Sequence, residues 1–332
     1  MKKFLTVFLS LLFIIAPLSA CKDKNDNLLR INEVTHSVFY APLYLAIENG
    51  YFEEEGLKID LVNAGGADKV MAALLSGDAD VGFSGPEATI YVYNNGQQNY
   101  MINFALLTVR DGSFICGRTN EEFTLESLRG KSSLGGRLGG VPEMALEYAI
   151  KKYGLGVSRT GYDSDVYVRT DVQFNAMAGA FINGEGDYTT LFEPTATQLE
   201  KAGKLFVLAP VGDFVPDVAY TSYYVTKEYL QKNAEVVEKF TRAIYKGQQF
   251  VLNNSDEEVA KALHKTFNEL TLDELTKVVS RYRAAKVWND SPIFDEKYLT
   301  NLMDIMKLAG ELDKEAPFNV IVKNDIAKKV VG

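Results

Sequence analysis

A chain of 332 residues that is 47% apolar and 24% charged has the composition of a folded soluble protein, long enough for two ordinary domains. A formal net charge of −9 excludes a nucleic-acid partner, whose phosphates call for basic patches. Two widely separated histidines, His36 and His264, and two cysteines, Cys21 and Cys116, exclude a clustered zinc site, so no metal and no cofactor is expected.

Met1, Lys2 and Lys3 give a short positive start, and Phe4 to Pro17 follow almost without a polar side chain, the order of a secretory signal over residues 1–20. The run is too short to span a bilayer, which takes roughly 20 residues. It ends in Leu18-Ser19-Ala20-Cys21, which resembles the lipobox of bacterial lipoproteins. That resemblance implies cleavage before Cys21, lipid on its thiol, no disulfide to Cys116, and a protein anchored on the extracytoplasmic face of the cell membrane. Residues 21–27 are mostly polar and read as a flexible tether.

From Leu28 onward, strand-like runs alternate with helix-like segments, the pattern of an α/β architecture with mainly parallel sheets and helices on both faces. Leu29 to Val34 reads as the first strand. Tyr40 to Glu48 reads as a helix with Pro42 in its first turn and Asn49-Gly50 at its end. Leu57 to Val62 is the second strand, and Asp68 to Leu75 puts Val70, Met71, Leu74 and Leu75 on one helical face. Ala79 to Phe83 is the third strand, followed by the turn Ser84-Gly85-Pro86-Glu87.

A second unit opens near Thr124 with a short helix leading to the loop Gly135 to Pro142. Pro142 suits a first helical turn, Lys151 and Lys152 lie where the dipole favours cations, and Gly154 ends the helix. Beyond about Tyr223 the chain is mostly helical. Ser255-Asp256-Glu257-Glu258 and Thr271-Leu272-Asp273-Glu274 both carry the capping-box pattern. Val236, Val237, Phe240 and Ile244 form one amphipathic face, and Leu272, Leu275, Val279 and Tyr282 another.

Four segments in order carry a family resemblance. Phe39 to Ala46, with Glu48-Asn49-Gly50-Tyr51-Phe52 and the residues to Leu57, resembles the opening motif of periplasmic solute-binding proteins of the thiamine-precursor and sulfonate-binding group, which includes thiamine pyrimidine synthase-like members. Ala72 to Gly82, Gly136 to Glu143 and Asp187 to Pro194 are similar to three further segments of that group. The resemblance implies a two-lobed periplasmic-binding-protein fold of type II, with lobe one at 28–112 plus 222–332 and an inserted lobe two at 113–221. It also implies hinge closure on a small molecule and delivery to an ABC permease by a monomeric receptor.

Ligands of open α/β sheets bind beyond the carboxyl ends of strands. The expected ligand-binding residues are therefore Phe39, Tyr40, Pro42, Gly66, Ser84, Glu87, Arg137, Gly140, Tyr188 and Glu193. Gly66 and Gly140 allow close backbone approach, and Tyr40 with Tyr188 is the preferred ring sandwich, alongside Phe39 and Phe192. Glu87 and Glu193 favour a ligand with ring N–H or amino donors, whereas Arg137 accommodates a carbonyl or phosphate-like group. A salt bridge between Glu193 and Arg137, or with a neighbour of either, is the structural alternative.

Those residues point first to a receptor for a nitrogen heterocycle, such as a thiamine-precursor pyrimidine. An alkanesulfonate or taurine receptor is the alternative within transport. A pyrimidine-synthesising enzyme of the yeast type is the alternative from another class, and it would need a Schiff-base lysine and a donor histidine, for which His36 is the candidate. No Ser-His-Asp arrangement is suggested, so the expectation is a binding protein and not an enzyme.

Overall fold

The computed structural model of the chain describes residues 28–332. The signal segment 1–20, Cys21 and the tether 21–27 lie outside the described residues.

Two sheets organise the fold. The first has the order β2 (Lys58–Asn63), β1 (Leu28–Glu33), β3 (Val81–Ser84), β11 (Thr221–Thr226) and β4 (Met101–Thr108). The second has the order β10 (Phe206–Pro210), β5 (Phe114–Gly117), β9 (Tyr188–Leu191), β6 (Ser132–Leu134), β8 (Val166–Arg169) and β7 (Val157–Ser158). Neighbours β1–β2 and β1–β3 are parallel, as are β9–β6, β6–β8 and β8–β7. The reversed strands are β11 in the first sheet and β5 in the second, each antiparallel to both neighbours.

Those reversals have a topological cause. β5 is the first strand after the chain leaves the first sheet, and β11 the first after it returns. An extended crossing leaves β4 at its carboxyl end and starts β5 at the same level, so β5 must run backwards. The return is its counterpart. The two crossings lie side by side: Thr108 and Val109 carbonyls accept from Tyr220 and Val218 N–H groups at 3.0 and 2.9 Å, and the Ser113 carbonyl accepts from Val211 at 3.0 Å.

Local signals place the helices. Ala41–Glu48 has Pro42 in its first turn, Ala67–Ser76 stops at Gly77 (φ 82°), and Val141–Tyr153 stops at Gly154 (φ 100°), both glycines in the left-handed region where a Cβ is unfavourable. Ser255 and Thr271 each close a capping box, with Glu258 and Glu274, at the starts of Asp256–Leu263 and Leu272–Ala284. Along Ala67–Ser76, Val70, Met71 and Leu74 are buried as expected. Leu75 is 44% exposed, because 100° per residue carries it past the edge of the buried stripe.

The core beside the first sheet is aromatic. Phe83 stacks on Tyr223 at 4.2 Å, and Phe240 of helix Ala234–Asn253 packs edge-on to the same ring at 5.0 Å. That helix crosses Ala41–Glu48 with Gly247 against Pro42: a Cβ at Gly247 would stand 2.1 Å from the Pro42 carbonyl oxygen. Close backbone approach therefore requires glycine there. Among the described residues no helix is long and apolar enough to cross a membrane.

Candidate functional site

The carboxyl ends of the parallel strands face one another across a cleft of ≈ 790 Å³, its open mouth included. On the side of the first sheet, the segment after β1 supplies Tyr40, the turn after β2 supplies Gly65 and Gly66, and the turn after β3 supplies Gly85 and Glu87. Tyr220 and Thr221 enter where the return crossing becomes β11. On the side of the second sheet come the loop after β6, with Arg137, Gly140 and Glu143, then Phe174 beyond β8 and Phe192 beyond β9. The strand-end rule thus selects the loops that form the cleft.

Glu87 is the distinctive group. It opens helix Glu87–Asn94 and is only 3% exposed, yet among the described residues its Oε2 has no hydrogen-bond partner. Burial pushes its carboxyl up to about 7, while the positive charge of Arg137 pulls the other way. Its position depends on Gly85, where an added Cβ would fall 2.0 Å from the same Oε2. A buried carboxylate oxygen left unpartnered is costly, so a ligand that donates to it gains what the free protein lacks. Arg137 donates one hydrogen bond, from Nη1 to the Leu138 carbonyl at 3.2 Å, leaving further guanidinium donors.

Aromatic faces line the rest. Tyr40 is buried, its ring packed edge-on against Phe83 at 4.4 Å. Phe192 lies 5.7 Å from Phe174 and 6.4 Å from Tyr220, so the loops after β8 and β9 and the return crossing contribute rings to a common wall. Tyr220 turns its hydroxyl towards Asp111 of the other crossing, but no hydrogen bond of ordinary geometry joins them. Burial raises the Asp111 carboxyl to about 6, against the hydrogen bonds it receives from Ser113.

Of the ten expected ligand residues, Tyr40, Gly66, Glu87, Arg137 and Gly140 line the cleft. The other five do not. Phe39 is turned into the core, where its ring lies against Gly112, at 2.2 Å from an ideal Cβ there, and 5.3 Å from Phe192. Pro42 lies in the helix contact with Gly247. Ser84 shares a 2.6 Å hydrogen bond with the buried Tyr224 hydroxyl.

Tyr188 does not line the cleft with Tyr40. It is the first residue of β9, at the amino end, and roughly 13 Å of strand separate it from Phe192 on the cleft. Its hydroxyl donates to Glu121 at 2.6 Å and its ring packs on Phe123 at 5.9 Å. Glu193 is structural as well. Its carboxylate accepts from the Thr197 N–H and hydroxyl, both at 2.8 Å, and from Arg281 Nη1 at 2.9 Å, so its ion-pair partner is Arg281 and not Arg137.

Sequence reasoning passed over Lys69, Glu143, Gln173, Phe174, Tyr220 and Thr221 as cleft residues. A signal existed for the last two: Thr221-Ser222-Tyr223-Tyr224-Val225 is rich in β-branched and aromatic residues, the composition of a strand. His36, the candidate donor histidine, is tied elsewhere, with Nδ1 3.3 Å from Glu33 Oε1 and its ring stacked 4.6 Å from Phe267. The Glu33 contact raises its pKa.

The profile of the family described as NMT1/THI5 like matches residues 38–258. The chain belongs to the NMT1/THI5-like family. It is 38% identical over 323 residues to "Putative binding protein YtlA" of Bacillus subtilis (strain 168), covering 97% of this chain and 95% of that one. It is 26% identical over 261 residues to the formylaminopyrimidine-binding protein of Halalkalibacterium halodurans, covering 75% and 76% respectively. The alkanesulfonate-binding protein SsuA of Xanthomonas axonopodis pv. citri, solved with bound MOPS, superposes with a TM-score of 0.71 at 16% identity, covering 89% of this chain and 98% of SsuA. The fold is that of periplasmic binding proteins, and this NMT1/THI5-like chain is a binding protein of periplasmic type.

Proposed function

We propose that the protein is an extracytoplasmic receptor that captures a nitrogen heterocycle bearing amino donors, of the pyrimidine kind, and passes it to an ABC importer. The observation that carries this reading is the unpartnered, buried Oε2 of Glu87 in an aromatic-walled cleft. A flat ring fills the space beside Tyr40 and Phe192, and an amino or ring N–H group satisfies Glu87. The pyrimidine named in the Halalkalibacterium halodurans relative fits that chemistry. Calorimetry at pH 8 against a panel of aminopyrimidines and a panel of alkanesulfonates tests it, with heat expected from the first. Heat from sulfonates alone overturns it.

Lys69 and Arg137 favour a second reading, an anion receptor for alkanesulfonates, because both cations border the cleft. Against it stands Glu87, whose ionised form repels a sulfonate. The synthase reading is weaker, since His36 is engaged by Glu33 and Phe267, although Lys69 does line the cleft. Incubation with pyridoxal phosphate is expected to give no imine absorbance.

The same proposal includes two lobes at 28–112 plus 222–332 and 113–221, closing about the paired crossings as a monomer, and a lipid anchor at Cys21 that keeps the receptor beside its permease. Cys21→Ser is expected to release the protein from the membrane fraction with ligand affinity unchanged. Retention in that fraction argues for another anchor.

A further inference from the structure

A charged cluster joins the lobes beside the cleft. Arg159, just beyond β7, donates from Nε to Glu147 at 2.5 Å, from Nη1 to Glu311 at 2.9 Å and from Nη2 to the Ala309 carbonyl at 2.9 Å. Lys151 bridges Glu147 at 2.7 Å and the Leu308 carbonyl at 3.2 Å. Arg159, Lys151 and the buried Glu147 belong to the inserted lobe. Leu308 and Ala309 end the helix Glu296–Ala309, with Glu311 just beyond its cap, and the helix is tied to the return crossing through the Tyr298 carbonyl and Asn301. The last carbonyls of a helix have no partner within it and carry its negative dipole end. Here two cations from the opposite lobe satisfy them.

The cluster touches the cleft loop as well. Glu143 lines the cleft, stands 3.4 Å from Arg159 Nε, and accepts from the Gly139 N–H at 3.1 Å. The Gly139 carbonyl in turn accepts from the hydroxyl of Tyr91, a residue of the first lobe, at 3.1 Å. Gly139 has φ +71°, and a Cβ there would lie 3.3 Å from both Glu311 and the Tyr91 hydroxyl. One residue of the cleft loop, Gly139, is therefore gripped from both lobes, with Glu311 against it.

We propose that Arg159, Lys151 and Glu311 form a latch between the lobes, holding the cleft loop closed and setting the open–closed balance, so that they govern ligand affinity as positioning residues without touching ligand. Parting the lobes would remove Glu311 and two carbonyls but leave Glu147 with both cations. Within this cluster no charge of the inserted lobe would be stranded, so the joint here opens without unfolding that lobe. The part concerning affinity rests on the cleft's being the ligand site; the part concerning closure does not.

Removing Arg159 would leave Glu147 buried beside Glu143, so the test uses Glu311→Gln and Lys151→Met. In the Cys21→Ser full chain, nitroxides at Leu75→Cys and Ile182→Cys, both exposed, report the distance between lobes by pulsed electron resonance without ligand, with Cys116 buried and unlabelled. The double variant is expected to shift part of the distance distribution to longer values at unchanged melting temperature. It is also expected to weaken binding of whichever aminopyrimidine gives heat with the parent by roughly 5-fold or more, the scale of ordinary coupling between sites. A distribution identical to the parent's overturns the latch, whether or not any aminopyrimidine binds.

Discussion

Arg281 Nη1 lies 2.9 Å from Glu193 Oε1, joining the helix Leu272–Ala284 to the turn after β9 of the second sheet. Glu193 is 1% exposed, so removal of the guanidinium leaves a buried carboxylate short of a partner. Arg281→Met is expected to cost about 3–5 kcal/mol in urea unfolding, the range for breaking a buried pair from one side. The double change with Glu193→Gln should cost less than the sum of the two single changes.

Glu87 makes stability and binding depend on pH in opposite senses. Its carboxyl is raised from 4.5 to about 7, so between those values the folded chain holds a proton that the unfolded chain has released. The stability linked to that proton is complete below about pH 4.5 and is lost as pH rises through about 7. The unfolding free energy of Glu87→Gln should therefore match the parent at low pH, exceed it increasingly as pH rises to about 7, and level off above that. Affinity for a ligand that donates to the ionised carboxylate runs the other way, falling by up to about tenfold per pH unit below 7 in the parent and staying flat in Glu87→Gln.

Gly85→Ala tests the placement of Glu87 without touching its chemistry. The added methyl group would fall 2.0 Å from Oε2 and 3.0 Å from Val141 Cγ2, so the carboxyl must leave its position. Aminopyrimidine heat is expected to vanish in calorimetry while the circular dichroism of the fold is retained.

The two tyrosines should separate. Tyr40→Ala removes a cleft ring and is expected to weaken binding by roughly tenfold, the upper end for a single aromatic contact. Tyr188→Phe loses only the hydrogen bond to Glu121, on the far side of β9 from the cleft, and should leave affinity unchanged by calorimetry.

What could be read from the chain was local. Proline in a first turn, glycine at a helix end and the capping boxes at Ser255 and Thr271 are set by residues within four positions of each other, and all stand as expected. The strand-end rule found the cleft loops but not which side chains within a loop turn inwards. Tyr188 shows this: its motif is adjacent in sequence to Phe192, yet the two mark opposite ends of β9. The partner of Glu193 stands 88 residues away, and no local pattern pairs it with Arg281. Strands of two to four residues, such as β6, β7 and β8, carry too few alternations to register as periodicity.

The paired crossings between the sheets act as a bearing with one soft axis. Two chain segments laid side by side and bonded at Thr108, Val109 and Ser113 can flex together out of their common plane, but twisting one past the other would break those bonds. In the closure proposed above, the walls of the cleft would be confined to a single arc of travel. Tyr40 and Glu87 on one wall would then meet Arg137 and Phe192 on the other in the same alignment at every closure, so selectivity would be set by the crossings as much as by the cleft itself.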